Sequence, residues 1–217
     1  MGLELTTKMK TMNIENFFKL GSDLVSTTFQ AHPVGLGVGD SQRLIMGEFN
    51  SIRYPVTFKQ ESGKRLHDVL DTGHAGLYLI SNHMKSILID SGVTGWKTFP
   101  IHLLDKKDHG ISGYHGFSVT GRCGPIDVSK SAIIQKRLVP NGPLCTYYKG
   151  MYVGLDKWDE SDFFLPEHYY GTMTTAKAAE VIKLNKLTNI RLTNLAYIEI
   201  NEMTAELIRS KTEPPAI

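Results

Sequence analysis

One stretch of the sequence is repeated 94 residues later, as the alignment of Ser81 with Thr175 shows, and this offset limits the possible folds more than any other feature. In the first copy, Leu77-Tyr78-Leu79-Ile80 is a short apolar run of strand type, and Ser81 follows as a helix N-cap. Met84, Ile87 and Leu88 then stand at the i, i+3, i+4 spacing of one buried stripe, Gly92 falls where a left-handed C-cap belongs, and Trp96 to Leu104 resumes an extended pattern. In the second copy Ala178, Val181 and Ile182 align with the stripe, and Leu187-Thr188-Asn189-Ile190-Arg191 aligns with Val93-Thr94-Gly95-Trp96-Lys97. Two similar strand-helix-strand units with a β-rich middle imply a single α+β domain whose units superimpose.

The surrounding residues supply weaker punctuation. A short helix is predicted over Leu66, Val69 and Leu70, stopped by Asp71-Thr72-Gly73, and another after Asn13, where Ile14, Phe17 and Phe18 have helical spacing. Residues 1–55 read as an N-terminal arm with a Gly-rich connection, and residues 56–217 as the α+β domain. Within the arm, residues 1–12 carry no periodic pattern, and the glycines of Ala31 to Asp40 lack the spacing and the Lys-Ser or Lys-Thr of a phosphate loop. Pro55 marks Ile52 to Phe58 as an edge strand or entry segment. Tyr114 to Thr120 alternates as a strand with one wet face. Lys149-Gly150 suits a tight hairpin between Cys145–Tyr148 and Met151–Val153, and the type of the apolar segment Ala132-Ile133-Ile134 stays open. Met203, Leu207 and Ile208 predict a closing helix ahead of Pro214-Pro215.

Charge and cysteine usage exclude several function classes. A net charge of +2 with acids and bases interleaved offers no basic stripe, so no nucleic-acid partner is expected. No apolar run approaches the ~20 residues that span a bilayer, and nothing at the start has the pattern of a secretory signal, so the expectation is a cytoplasmic protein without a membrane partner. Two cysteines, Cys123 and Cys145, are too few for a disulfide framework or a zinc site.

No residue pattern argues for catalysis. The eight histidines form neither HExxH nor HxH, no serine sits in a GxSxG elbow, and clustered carboxylates occur only between Asp156 and Asp162, where solvation accounts for them. The expected catalytic set, metal set and cofactor are therefore none. The feature that suggests recognition is a charged loop bearing an aromatic: Trp158, Asp159 and Glu160 combine an anchor with steering charges and are the candidate partner-binding residues. The alternative is a small-ligand or carbohydrate binding domain in which Tyr147, Tyr148, Tyr152 and Trp158 line a cleft.

A family resemblance rests on Leu66-His67-Asp68-Val69-Leu70, on Gly76 to Ser81, on Leu88 through Val93-Thr94-Gly95, and on Phe99-Pro100-Ile101. Further along it continues through Tyr114, Ile126-Asp127, Ser131, Ser161 to Phe164, the helix after Thr175, and Leu187 to Ile190. These residues resemble the immunity-protein family numbered eleven of bacterial polymorphic toxin systems, over roughly residues 56 to 200. Where that family shows an acidic residue before its middle strands, this chain has Gly113 and His115. The resemblance implies a non-enzymatic immunity protein whose partner is a cognate toxin, bound and blocked by stoichiometric occlusion.

Overall fold

The computed structural model describes residues 13–23, 25–50 and 52–212. In chain order the strands begin with β1 (Phe17–Gly21), β2 (Gln30–Pro33), β3 (Val56–Ser62), β4 (Val69–Asp71), β5 (Tyr78–Ser81), β6 (Trp96–Phe99), β7 (Ile101–Leu104) and β8 (Gly110–Ile111). They continue with β9 (Tyr114–Val119), β10 (Gly121–Ile126), β11 (Ala132–Arg137), β12 (Leu144–Lys149), β13 (Val153–Gly154), β14 (Phe163–Pro166), β15 (Met173–Thr175), β16 (Arg191–Asn194) and β17 (Glu199–Asn201). Among them lie the helices α1 (Val38–Met46), α2 (Asn82–Asp90), α3 (Ala176–Leu184) and α4 (Glu202–Thr212), an α+β architecture.

The repeat is present in the backbone. Both α2 and α3 have nine residues, and each is capped as the sequence requires. Ser81 Oγ accepts the Met84 N–H at 3.0 Å, and Thr175 Oγ1 accepts the Ala178 N–H at 3.3 Å. Met84 and Leu88 are buried with Ile87 half-buried, and Ala178, Val181 and Ile182 repeat that order. Gly92 and Gly95 have φ of 59° and 82°, while Lys186 and Asn189 at the same places in the second copy hold φ of 51° and 60°. Positive φ costs a non-glycine residue free energy, so the loop shape persists where its favoured residue does not.

The two sheets also share an order, β4-β5-β9-β6 in the first unit and β14-β15-β1-β16 in the second. In each, the third strand runs antiparallel to both neighbours. The first unit takes that strand from the chain that follows its helix, whereas the second takes β1 from the N-terminal region. The predicted arm over residues 1–55 is thereby corrected: β1 is a sheet interior, and α1 packs on β9, where Ser118 Oγ donates to the Leu44 carbonyl. The expected loose segment 1–12 and the tail beyond residue 212 lie outside the described residues.

An exchange of polar contacts locks the units together. Asp68 of the first unit accepts hydrogen bonds from Thr188 N and Oγ1 of the second, both at 2.8 Å, and from Ser81 Oγ at 2.8 Å within its own unit. Asp162 of the second unit accepts from Thr94 N at 3.0 Å and Oγ1 at 3.2 Å, and from its own Thr175 Oγ1 at 2.9 Å. Each aspartate N–H returns a bond to the threonine hydroxyl that caps its carboxylate. Such reciprocity, residue i on j and j on i, is the contact pattern of a two-fold symmetric dimer, here within one chain.

Several local expectations are corrected. The predicted helix at Leu66–Leu70 is strand β4, because Val69 and Leu70 are both buried and the Val69 N–H bonds the Thr188 carbonyl across the lock. The helix after Asn13 stops after the single 3-10 turn Ile14–Asn16 and becomes β1. The Gly-rich connection runs into α1, which no apolar period announced. Strand β3 is paired on both sides, so Pro55 marks its entry and not an edge. Strand β9 has no wet face from Gly116 to Val119, since it lies between β5 and β6 under α1. Met203 and Leu207 lie on the open side of α4, whose buried residues are Ala205 and Ile208. The tight hairpin at Lys149-Gly150 does not form: β13 pairs with β10, and β12 pairs with β11 and β17.

Two apolar cores result. The larger joins the first unit with the inner faces of α3 and β14, and the smaller gathers Phe17, Cys123, Tyr148, Ile200 and Ile208 under α4. Strand alternation places Phe163 in the first and Phe164 in the second, so β14 is the wall between them.

Candidate protein-binding surface

The hairpin β11–β12 stands on the smaller core. Its strands pair over six consecutive positions, from Ala132 with Lys149 to Arg137 with Leu144, around a turn containing Pro140-Asn141-Gly142-Pro143 in which Asn141 takes φ of 61°. On its other side β12 meets β17 only from Tyr147 to Lys149. The half of the hairpin near the turn is therefore a two-stranded ribbon, and β11 is the edge of the sheet.

Residues directly opposite one another share a face, so Ile133, Tyr148 and Ile200 form a row toward α4. Helix α4 covers the inner two: Ile200 is buried, and the Tyr148 hydroxyl donates to Glu202 at 2.9 Å under Arg209. It does not cover the third. Ile133 is 68% exposed, with Leu138 at 67%, Val139 at 59% and Leu144 at 56% along the same hairpin. Open aliphatic side chains on one hairpin, with Ile133 on its edge strand, are what soluble proteins ordinarily avoid unless the surface is used.

The charge of this segment is one-sided. Between Val128 and Gly150 stand Lys130, Lys136, Arg137 and Lys149 with no acidic residue. Lys130 pairs with Asp127 at 3.1 Å, Lys136 with Glu199, and Lys149 lies 5.9 Å over the Tyr197 ring. Arg137 donates to the Gly142 carbonyl and has no carboxylate partner among the described residues.

The sequence-predicted residues sit on the same core in a different way. Trp158 packs edge-on against Phe17 at 5.3 Å and against Phe164 at 5.6 Å, and its indole N–H donates to the Ser161 carbonyl at 3.1 Å. Asp159 accepts the backbone N–H groups of Arg122 at 2.9 Å and Ser161 at 3.1 Å, so its carboxylate shapes the loop. Glu160 is exposed at φ of 63°, and its side chain has no hydrogen bond or ion pair among the described residues. The loop thus turns its aromatic inward and one free carboxylate outward. Asp162, read as part of this solvated run, is buried in the lock. The four aromatics of the cleft reading are spread apart: Tyr147 under Lys136, Tyr148 under α4, Tyr152 and Trp158 against the smaller core.

Chemically suggestive neighbours resolve into structural ones. Cys123 and His168 line one cavity of about 400 Å³, but burial, aided by Asp159 and Asp156, pushes the Cys123 thiol up to about 12, far from a thiolate at neutral pH. Ser41 Oγ lies 2.5 Å from His74 Nδ1, yet Ser41 is buried and its hydroxyl donates to the Gly37 carbonyl at 3.1 Å. His74 is held below the usual imidazole range by burial and by His32. Among the described residues no three His, Cys, Asp or Glu side chains gather as metal ligands, and no helix is long and apolar enough to cross a membrane.

Comparison with models of known protein families finds no match for the chain, and comparison with curated proteins finds none either. The surface therefore has to be read from its own residues. Its signal in the sequence was the turn Pro140-Asn141-Gly142-Pro143 and the lack of any acid between Asp127 and Asp156.

Proposed function

We propose that this chain works by occupying the surface of another protein, and that the partner is a cognate bacterial toxin which it neutralises by stoichiometric occlusion. The observation that supports the binding half is the β11–β12 hairpin, where aliphatic side chains and a sheet edge are left open on a firmly packed body. Interfaces of standard size bury about 1,200–2,000 Å² in total, so the hairpin needs support from its surroundings, and the exposed Glu160 is available as a rim charge. The choice of a toxin as partner rests on the resemblance in sequence alone. Neutralisation at low toxin concentration calls for slow dissociation, which is where related interfaces differ most in affinity.

The test is co-expression with a candidate toxin encoded beside this gene, followed by titration of the purified toxin. Survival of the cells, an equimolar complex, and loss of toxin activity that is complete at one equivalent are expected. Death at the rate seen without the chain and no complex would overturn the proposal. Inactivation by a small fraction of an equivalent would replace occlusion with turnover.

A further inference from the structure

We infer that the edge of β11, which no strand among the described residues pairs, takes up an added strand from the partner, and that this strand is acidic. The inference rests on the hairpin being the contact surface and assigns the manner of contact. In antiparallel pairing alternate residues turn both backbone groups away from the neighbour, so half of Ala132–Arg137 presents N–H and C=O groups outward along β11. An incoming strand satisfies them as a row, the mode in which main-chain bonds supply affinity and alternate side chains supply choice.

The side chains state the preference. On the α4 face β11 shows Ile133, Gln135 and Arg137, so a matching strand carries an aliphatic residue beside Ile133 and an acid beside Arg137. The hairpin from Ala132 to Lys149 holds three bases, Lys136, Arg137 and Lys149, and no acid, and of the three Lys136 is already paired with Glu199. A second copy of the chain would bring like charge to like charge along the edge, at a cost to pairing. An acidic strand of a different protein meets no such repulsion and is drawn in by the same charges. Ile133 and Leu144 are open on the strands themselves, and not only Leu138 and Val139 between them, which favours this occupant over a membrane surface.

The experiment uses the full chain and synthetic peptides of about ten residues, the length of a long natural strand. In the Val-Glu peptide one face carries Val and, four residues on, Glu, so that they fall beside Ile133 and Arg137; the Val-Lys peptide has Lys in place of Glu, and two further Val-Glu peptides are N-methylated on every second residue in opposite phases. The Val-Glu peptide should bind at least about tenfold more tightly than the Val-Lys peptide, which corresponds to about 1.4 kcal/mol. One methylation phase should abolish binding and the other preserve it, because only one edge of an added strand faces β11. Arg137→Glu should reverse the order of the two unmethylated peptides without moving the unfolding midpoint.

Equal binding of both charge types, equal tolerance of both methylation phases, or no binding at all would overturn the inference. So would tighter binding to vesicles of phosphatidylserine and phosphatidylcholine than to the peptide, which would make the hairpin a membrane contact. A toxin complex that forms normally, is indifferent to Arg137→Glu and is not displaced by the Val-Glu peptide would reject the added strand while leaving occlusion intact. Peptide binding at β11 in a chain that gives no protection would reject occlusion alone.

Discussion

In the lock between the two units each ionised group has its partners, whereas along the β11–β12 hairpin apolar side chains and a sheet edge have none among the described residues. Asp68 and Asp162 have side chains only 12% and 8% exposed, and each accepts four hydrogen bonds, the fourth coming from His83 and Lys177. Ile133 and its neighbours are exposed on a ribbon that adds little to the core. A buried charge is tolerated only when it is paired and bonded, because desolvation would otherwise exceed what it contributes. An exposed aliphatic edge carries the opposite liability, since it invites association. The first region is therefore read as frame and the second as function, and perturbations should separate them.

The largest expected effect is at Asp162. Asp162→Ala removes the acceptor for Thr94, Thr175 and the Lys177 ammonium and should cost about 3–5 kcal/mol in urea unfolding. Asp68→Ala should cost less, because its fourth partner His83 is charged only when protonated and is well exposed. Equal costs would show that the ammonium adds nothing to the lock.

Phe18→Pro comes next. It places a proline in the middle of β1, between β15 and β16, and should cost about 3 kcal/mol or more. A variant as stable as the parent would return the N-terminal region to the status of an arm.

Thr94→Val and Thr188→Val should each cost about 1–2 kcal/mol, by losing a hydroxyl that both donates and accepts. In double-mutant cycles Thr94 should couple to Asp162 and Thr188 to Asp68 by about 0.5–3 kcal/mol, while the crossed pairs stay additive.

The lock also predicts a response to acid. Burial alone would raise the Asp162 carboxyl, but Lys177, Thr94 and Thr175 more than offset it and its pKa lies below the ordinary 3.8. For Asp68 burial is likewise outweighed, by the Thr188 N–H, His83, Ser81 and the Thr188 hydroxyl. A group depressed by folding contributes stability above its unfolded pKa and loses it as pH falls through the folded value. The unfolding free energy should thus be steady near neutrality with respect to these carboxylates and decline below about pH 4, less so in Asp162→Asn. The smallest stability effect is expected at the hairpin, where Ile133→Ser should stay within about 0.5 kcal/mol of the parent.

How much of this could be read in the sequence follows from the same physics. Helices α2 and α3 were legible because cap, stripe and stop agree, and local agreement is what specifies an element. The lock was within reach, since Asp68 and Asp162, Thr94 and Thr188, and His83 and Lys177 all stand at the offset that relates Ser81 to Thr175. It went unread because two lone aspartates carry no periodicity. Strand β4 resembled a helix because Leu66, Val69 and Leu70 fit helical spacing, and its pairing with β5, Val69 opposite Ile80 and Leu70 opposite Leu79, decides otherwise. The inward packing of Trp158 depends on Phe17, far away in sequence, as well as on Phe164, and the openness of Ile133 is likewise set by the tertiary packing, which an apolar run of three could not foretell.

The proposal that function lies in the hairpin is tested most directly by titrating the proposed cognate toxin with three chains of matched unfolding midpoint: the parent, Ile133→Glu with Leu144→Glu, and Glu160→Lys. Two central apolar anchors lost should weaken binding by about a hundredfold or more, at about 1.4 kcal/mol per factor of ten, and abolish neutralisation, while the change at Glu160 shifts affinity by only a few-fold. A double hairpin variant that binds and neutralises like the parent would contradict the account.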